Sequence, residues 1–171
     1  MLTKTDIEKY FFAEKHESLF FMIVGAVAIL LAISFYVFLK NHFYKGAAIP
    51  LLLIGLVQVI VGYTVYARSD NQRIDNVYAY DMNPSKLKHE ELPRIETVNK
   101  NFAIYRWVEI FFLIAGLILL FYFKGNEHKT LFLGLGLTLA IQSAIMLGAD
   151  YFAEKRALIY QQQLESFAQQ K

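Results

Sequence analysis

Long uncharged runs alternate with charged stretches along this chain: residues 19–39, 46–67, 110–123 and 130–149 contain no Asp, Glu, Lys or Arg. A helix rising 1.5 Å per residue needs about twenty such residues to cross a ~30 Å hydrocarbon layer. Three runs meet that length, and the third does so once Trp107 and Val108 are added and Glu109 is tolerated near the head groups. A soluble bundle would instead show a polar face once per helical turn. Between Leu19 and Leu39 only Ser34 and Tyr36 carry hydrogen-bonding side chains. The pattern predicts an all-α, polytopic membrane protein: four transmembrane helices in an antiparallel bundle, with spans at about 19–39, 47–67, 105–123 and 130–150. A linker over 68–104 and a C-terminal helix over 151–171 complete one membrane domain.

Apolar periodicity continues beyond the spans. Ile95, Val98, Phe102 and Tyr105 recur at spacings of three and four ahead of the third span, and Ala157, Tyr160, Leu164 and Phe167 do so after the fourth. Ile74, Val77 and Tyr80 give a shorter stripe after the second span, and Thr5 with Glu8 has the spacing of a capping box ahead of the first. Stripes on one side of a membrane need a common core. They predict a four-helix extension beyond the bilayer, its second and third helices joined through 81–93, where Pro84 and Pro93 mark a turn and a helix start.

Charge sets the expected orientation. Of seventeen Lys and Arg, thirteen lie in the N-terminal stretch, the linker and the C-terminal stretch. The positive-inside bias therefore predicts both termini and the linker in the cytoplasm, in a bacterial-type inner membrane. Aromatic residues fall at both ends of the spans, as interfacial belts do.

Composition narrows the chemistry. There is no cysteine, and the net charge of +2 comes without a basic patch interleaved with aromatics, which leaves no thiolate site and no nucleic-acid partner. His16, His42, His89 and His128 are scattered at no metal-ligand spacing, and no phosphate loop or nucleophile elbow is present. No cofactor, metal or catalytic residue is expected.

The two halves resemble each other: Phe20 to Gly25 parallels Phe111 to Gly116, and each half has one mid-span glutamine, Gln58 or Gln142. A parallel repeat of two hairpins would produce this. Phe12-Ala13-Glu14-Lys15 returns as Phe152-Ala153-Glu154-Lys155, which reads as a phenylalanine at the head groups followed by a solvated Glu-Lys pair. Small residues on one helix face, Ala140, Ala144 and Gly148 standing four apart and Gly25, Ala28 and Ala32 in a similar stripe, predict close helix packing.

The intramembrane polar residues are Gln58, Arg106, Glu109 and Gln142. Glu109 is costly at the edge of an apolar run unless paired, and Arg106, three residues earlier, is the expected partner. The glutamines are expected to hydrogen-bond across the bundle. Four spans are also what small multidrug transporters have, but those are shorter and carry their glutamate in the first span. Most polar information sits outside the spans. The functional expectation is a non-enzymatic protein that binds another protein or a second copy of itself, a toxin-neutralising immunity protein being one concrete version. Tyr78, Tyr80, Asp81, His89 and Arg94 are the candidate contacts, since aromatic and arginine side chains anchor interfaces. The alternative is a small oligomeric channel or transporter built on Glu109, Gln58 and Gln142.

Overall fold

The computed structural model describes residues 2–170. Thr3, in extended conformation, caps α1 (Lys4–Ser34): its hydroxyl accepts from the Asp6 amide while the Asp6 carboxylate accepts from the Thr3 amide. The box at Thr3 and Asp6 displaces the one expected at Thr5 and Glu8. Starting the helix earlier carries Leu2 into the core, where it is fully buried and its carbonyl accepts the Tyr80 hydroxyl at 3.2 Å. A wider π-helical turn, Phe35–Leu39, ends the first apolar run. Lys40 then takes a left-handed φ of 46°, and Asn41 caps α2 (His42–Met82) by accepting from the Phe43 amide at 2.9 Å.

No break marks the end of the second apolar run, so α2 continues to Met82. Asn83 stops it, and the expected connection is itself wound, as α3 (Pro84–Lys86) and a π-helical turn, Leu87–Glu91, that feeds directly into α4 (Leu92–Phe123). Pro93 lies in the first turn of α4, where its missing amide proton costs nothing. A short 3-10 turn, Glu127–Lys129, leads into α5 (Thr130–Gln170). Four helical stretches, Lys4–Leu39, His42–Met82, Pro84–Phe123 and Glu127–Gln169, are each long and apolar enough to span a membrane.

The helices form a four-helix bundle in which α1 packs on α2, α4 on α5, and α2 on α5. Within the apolar runs the contacts are made by small residues. Gly25 and Gly55 meet, as do Gly116 and Gly136; a Cβ on Gly25 would lie 2.7 Å from the Gly55 carbonyl oxygen, and one on Gly116 2.9 Å from that of Gly136. Between the pairs, the Thr138 hydroxyl donates to the Ala47 carbonyl at 3.0 Å. In a bilayer such close approach would substitute for the hydrophobic drive that lipid does not supply. Gly25, Ala28 and Ala32 are buried as expected. On α5 the expected row is used only in part: Ala140 is buried, whereas Ala144 and Gly148 are exposed and a Cβ on Gly148 would meet nothing within 4 Å.

Beyond the apolar runs all four helices share a second core. Leu2, Ile7, Tyr10 and Phe11 meet Ala79, Leu87, Ile95, Ala157, Tyr160, Leu164 and Phe167, with Val98 and Phe102 packed against them. The expected packing among the four helices outside the apolar runs is therefore present, and Leu2 and Phe167, near either end of the described chain, both lie in it. One stripe holds in part, with Val77 and Tyr80 packed against this core. Ile74 is exposed, and α2 turns Ser69, Asn76 and Ala79 inward instead. Tyr105 is also exposed, because it sits where α4 enters its apolar run.

Candidate functional site

The polar side chains fall into two groups, one inside the extension and one at the edge of the apolar runs. Inside the extension, Arg94 forks onto Glu91 through Nε and Nη2, both at 2.7 Å, and its guanidinium lies 5.4 Å from the Phe11 ring centroid. Tyr10 and Tyr160 stack beside it. The Tyr10 hydroxyl donates to Glu14 at 3.4 Å, and the Ser69 hydroxyl reaches the other Glu14 oxygen at 3.2 Å. Burial pushes the Glu14 carboxyl above the usual carboxylate range, with Arg94 and Arg68 holding it back in part. Burial likewise raises the Tyr160 phenol, whose hydroxyl lies beside Glu91 without a well-formed hydrogen bond.

These contacts account for most of the expected partner residues. Arg94 is committed to Glu91, and the Tyr80 ring stacks on Phe167 at 5.2 Å. Asp81 pairs with Lys4 at 2.5 Å, tying the end of α2 to the start of α1. Tyr78 is 66% exposed, and His89 is exposed beside a cleft lined by Pro84, Ser85, Lys88 and Phe167. Ile74 and Met82, four residues to either side of Tyr78, are 58% and 70% exposed. Residues four apart share one helix face, so the three form an apolar stripe that no described residue covers.

At the edge of the apolar runs, Glu109 is 3% exposed and its nearest ionisable neighbour is Asp150. Both Glu109 oxygens lack a hydrogen-bond donor, and no described basic side chain is within ion-pair distance of them. The expected Arg106–Glu109 pair is not formed. Arg106 instead crosses to Glu154 on α5 at 3.0 Å. Helix geometry explains the choice: Glu109 turns toward α5 and inward, while Arg106, a turn nearer the end of the run, extends its long side chain outward to water. Arg156 on α5 reaches Glu17 on α1, closing a ring of charges around the same level.

Asp150 is not among the intramembrane polar residues expected from the sequence. The signal was available in the spacing: Glu109 opens the third apolar run and Asp150 closes the fourth, so two helices joined at their far ends bring the two together.

Gln58 and Gln142 are buried at 0% and 3%, yet neither Gln58 amide atom, nor Gln142 Oε1, has a hydrogen-bond partner. They do not bond to each other. Thr138 is level with Ala47, so Gln142 lies beside residue 51 and about 10 Å along the axis from Gln58. Gln58 faces α1 at Gly25, its Cβ 2.8 Å from where a Cβ on that glycine would be.

The repeated Phe-Ala-Glu-Lys segments are not simple solvated ends. Phe12 and Phe152 are exposed, as membrane anchors would be, but Lys15 pairs with Asp70, Glu14 with Ser69, and Glu154 with Arg106.

No family model, curated protein or solved structure matches the chain.

Proposed function

We propose that this chain is a non-enzymatic, multi-pass inner-membrane protein that acts by binding another protein through its extramembrane bundle. In this reading successive spans run antiparallel and both termini lie in the cytoplasm, an orientation supported by thirteen of seventeen basic residues lying at that end. The observation that carries the binding role is the stripe of Ile74, Tyr78 and Met82. It lies about two to four turns past the second apolar run, so lipid does not explain it. A contiguous apolar face rimmed by Asp75 and Asp81 is what a partner helix or groove covers. Neutralising a membrane-active toxin, as an immunity protein does, is one function that such a face on a membrane anchor serves.

Site-specific photocrosslinking in cells tests the proposal. A photoreactive residue at Tyr78 should yield a discrete protein adduct, and Ile74→Ser with Met82→Ser should abolish it while leaving membrane insertion intact. Absence of a protein adduct from positions 74, 78 and 82 alike would overturn the binding role.

A second reading, an oligomeric channel or transporter, is favoured by the placement of Glu109 against Asp150 without a cation. Intramembrane carboxylates commonly mark ion or proton pathways. In that case purified protein in liposomes conducts protons or monovalent cations, and Glu109→Gln stops the flux. Impermeable liposomes would remove this reading.

A further inference from the structure

We infer that a cleft between α1 and α2 binds the head group of an anionic phospholipid from the leaflet nearest the chain termini. The cleft encloses about 380 Å³, within the range of small-molecule sites. Its walls change character with depth. Phe12, Leu19 and Tyr66 supply the apolar part, and Lys15, His16, Asp70 and Arg73 the polar part. Leu19 is the first residue of one uncharged run and Tyr66 the last but one of the next. The apolar part therefore lies where acyl chains begin, and the basic part at the level of phosphates.

Charge and hydrogen-bonding capacity both favour a monoanion. Lys15 is paired with Asp70, and Arg73 Nε stands 3.8 Å from the same carboxylate. One carboxylate is shared by two cations, which leaves one positive charge in excess. An ammonium and a guanidinium offer eight N–H donors between them, more than one carboxylate can accept. The Lys15 ammonium is held in place by the Tyr66 ring, 4.7 Å from its centroid. His16 is fixed too, its Nδ1 bonded to the Phe12 carbonyl at 2.8 Å and its ring 4.1 Å from that of Phe12. Clusters of basic side chains at this depth are how membrane proteins select anionic lipids. A phosphodiester with a glycerol backbone satisfies both parts of the cleft, whereas a free phosphate would use only the polar one.

The inference rests on the transmembrane reading, and the test separates the two. Resistance of the chain to alkaline carbonate extraction checks insertion by itself. The protein is then purified in mild detergent and its bound lipid measured by native mass spectrometry after adding phosphatidylglycerol and phosphatidylcholine in equal amounts. One phosphatidylglycerol should be retained in preference to phosphatidylcholine. Removing both cations, Lys15→Gln with Arg73→Gln, should cut that preference by about fivefold per cation. Asp70→Asn should raise it, since the competing carboxylate is gone. Lys124→Gln, at the other end of the bundle, should leave it unchanged, and excess glycerol phosphate should not displace the lipid. An inserted protein that retains both lipids equally overturns the inference, whatever the variants do. Displacement by glycerol phosphate would overturn it in favour of a soluble phosphate ligand.

Discussion

Tyr10 and Tyr160 lie face to face, ring centroids 4.2 Å apart and planes 11° from parallel, and so join the first helix to the last in the core outside the apolar runs. Phe11 meets the Tyr160 ring edge-on at 6.0 Å. Tyr160 is 1% exposed, so Tyr160→Ala should cost about 3–5 kcal/mol through lost burial and the cavity left behind. Tyr160→Phe keeps the rings and removes a hydroxyl without a good partner, and should change stability by less than about 1 kcal/mol. Thermal unfolding in detergent distinguishes these outcomes.

Arg94 and Glu91 make the same point with charge. Truncating Arg94 to alanine strands a carboxylate that is 4% exposed, which typically costs about 3–5 kcal/mol. The double variant Arg94→Ala with Glu91→Gln should recover part of that loss. A full additive loss in chemical denaturation would show that the pair is not coupled.

Glu14 makes the extension sensitive to pH. Its carboxyl is raised above the ordinary value of 4.5, first by burial. A folded pKa above the unfolded one means that the folded chain holds the proton more tightly. The contribution is then complete below the unfolded pKa and is lost as pH rises through the folded one. Stability of the wild type should therefore fall relative to Glu14→Gln as pH is raised from the ordinary carboxylate range, as a pH series of melting temperatures will reveal. Parallel curves for the two proteins would refute this.

Glu109 is expected to behave as a stability liability. In Glu109→Gln the new amide can always donate to the Asp150 carboxylate, whereas wild type can do so only while the two carboxyls share a proton. The variant should be more stable by about 1 kcal/mol. A lower melting temperature would mean that the carboxylate has a stabilising partner.

Gly116 and Gly148 offer a matched comparison on facing helices. A Cβ on Gly116 would stand 2.7 Å from the Ala140 backbone nitrogen, and backbone cannot move aside as a side chain can. Gly116→Ala should destabilise the α4–α5 pair by about 1–3 kcal/mol. Gly148→Ala meets nothing within 4 Å and should stay within about 0.5 kcal/mol of wild type. A large effect at Gly148 would indicate that a second copy packs there.

The sequence by itself determined the elements and their number. Three uncharged runs of span length, and a fourth completed by Trp107, Val108 and Glu109, read as helices, because lipid would offer no partner for a free backbone group and the runs are too long for membrane strands. Periodicity then told which faces of the extensions turn inward, as Ile95, Tyr160, Leu164 and Phe167 do. These are properties of single helices, and one stretch of chain is enough to express them. Choice among partners was decided only by the tertiary structure. Arg106 chose Glu154 over Glu109, Arg94 chose Glu91 three residues away, and Ile74 was left outside while Asn76 and Ala79 went in. Each choice depends on how two helices are rotated and offset against one another. That offset is fixed by glycine contacts such as Gly25 on Gly55, which a pattern of apolar letters does not distinguish from any other small residue in a span.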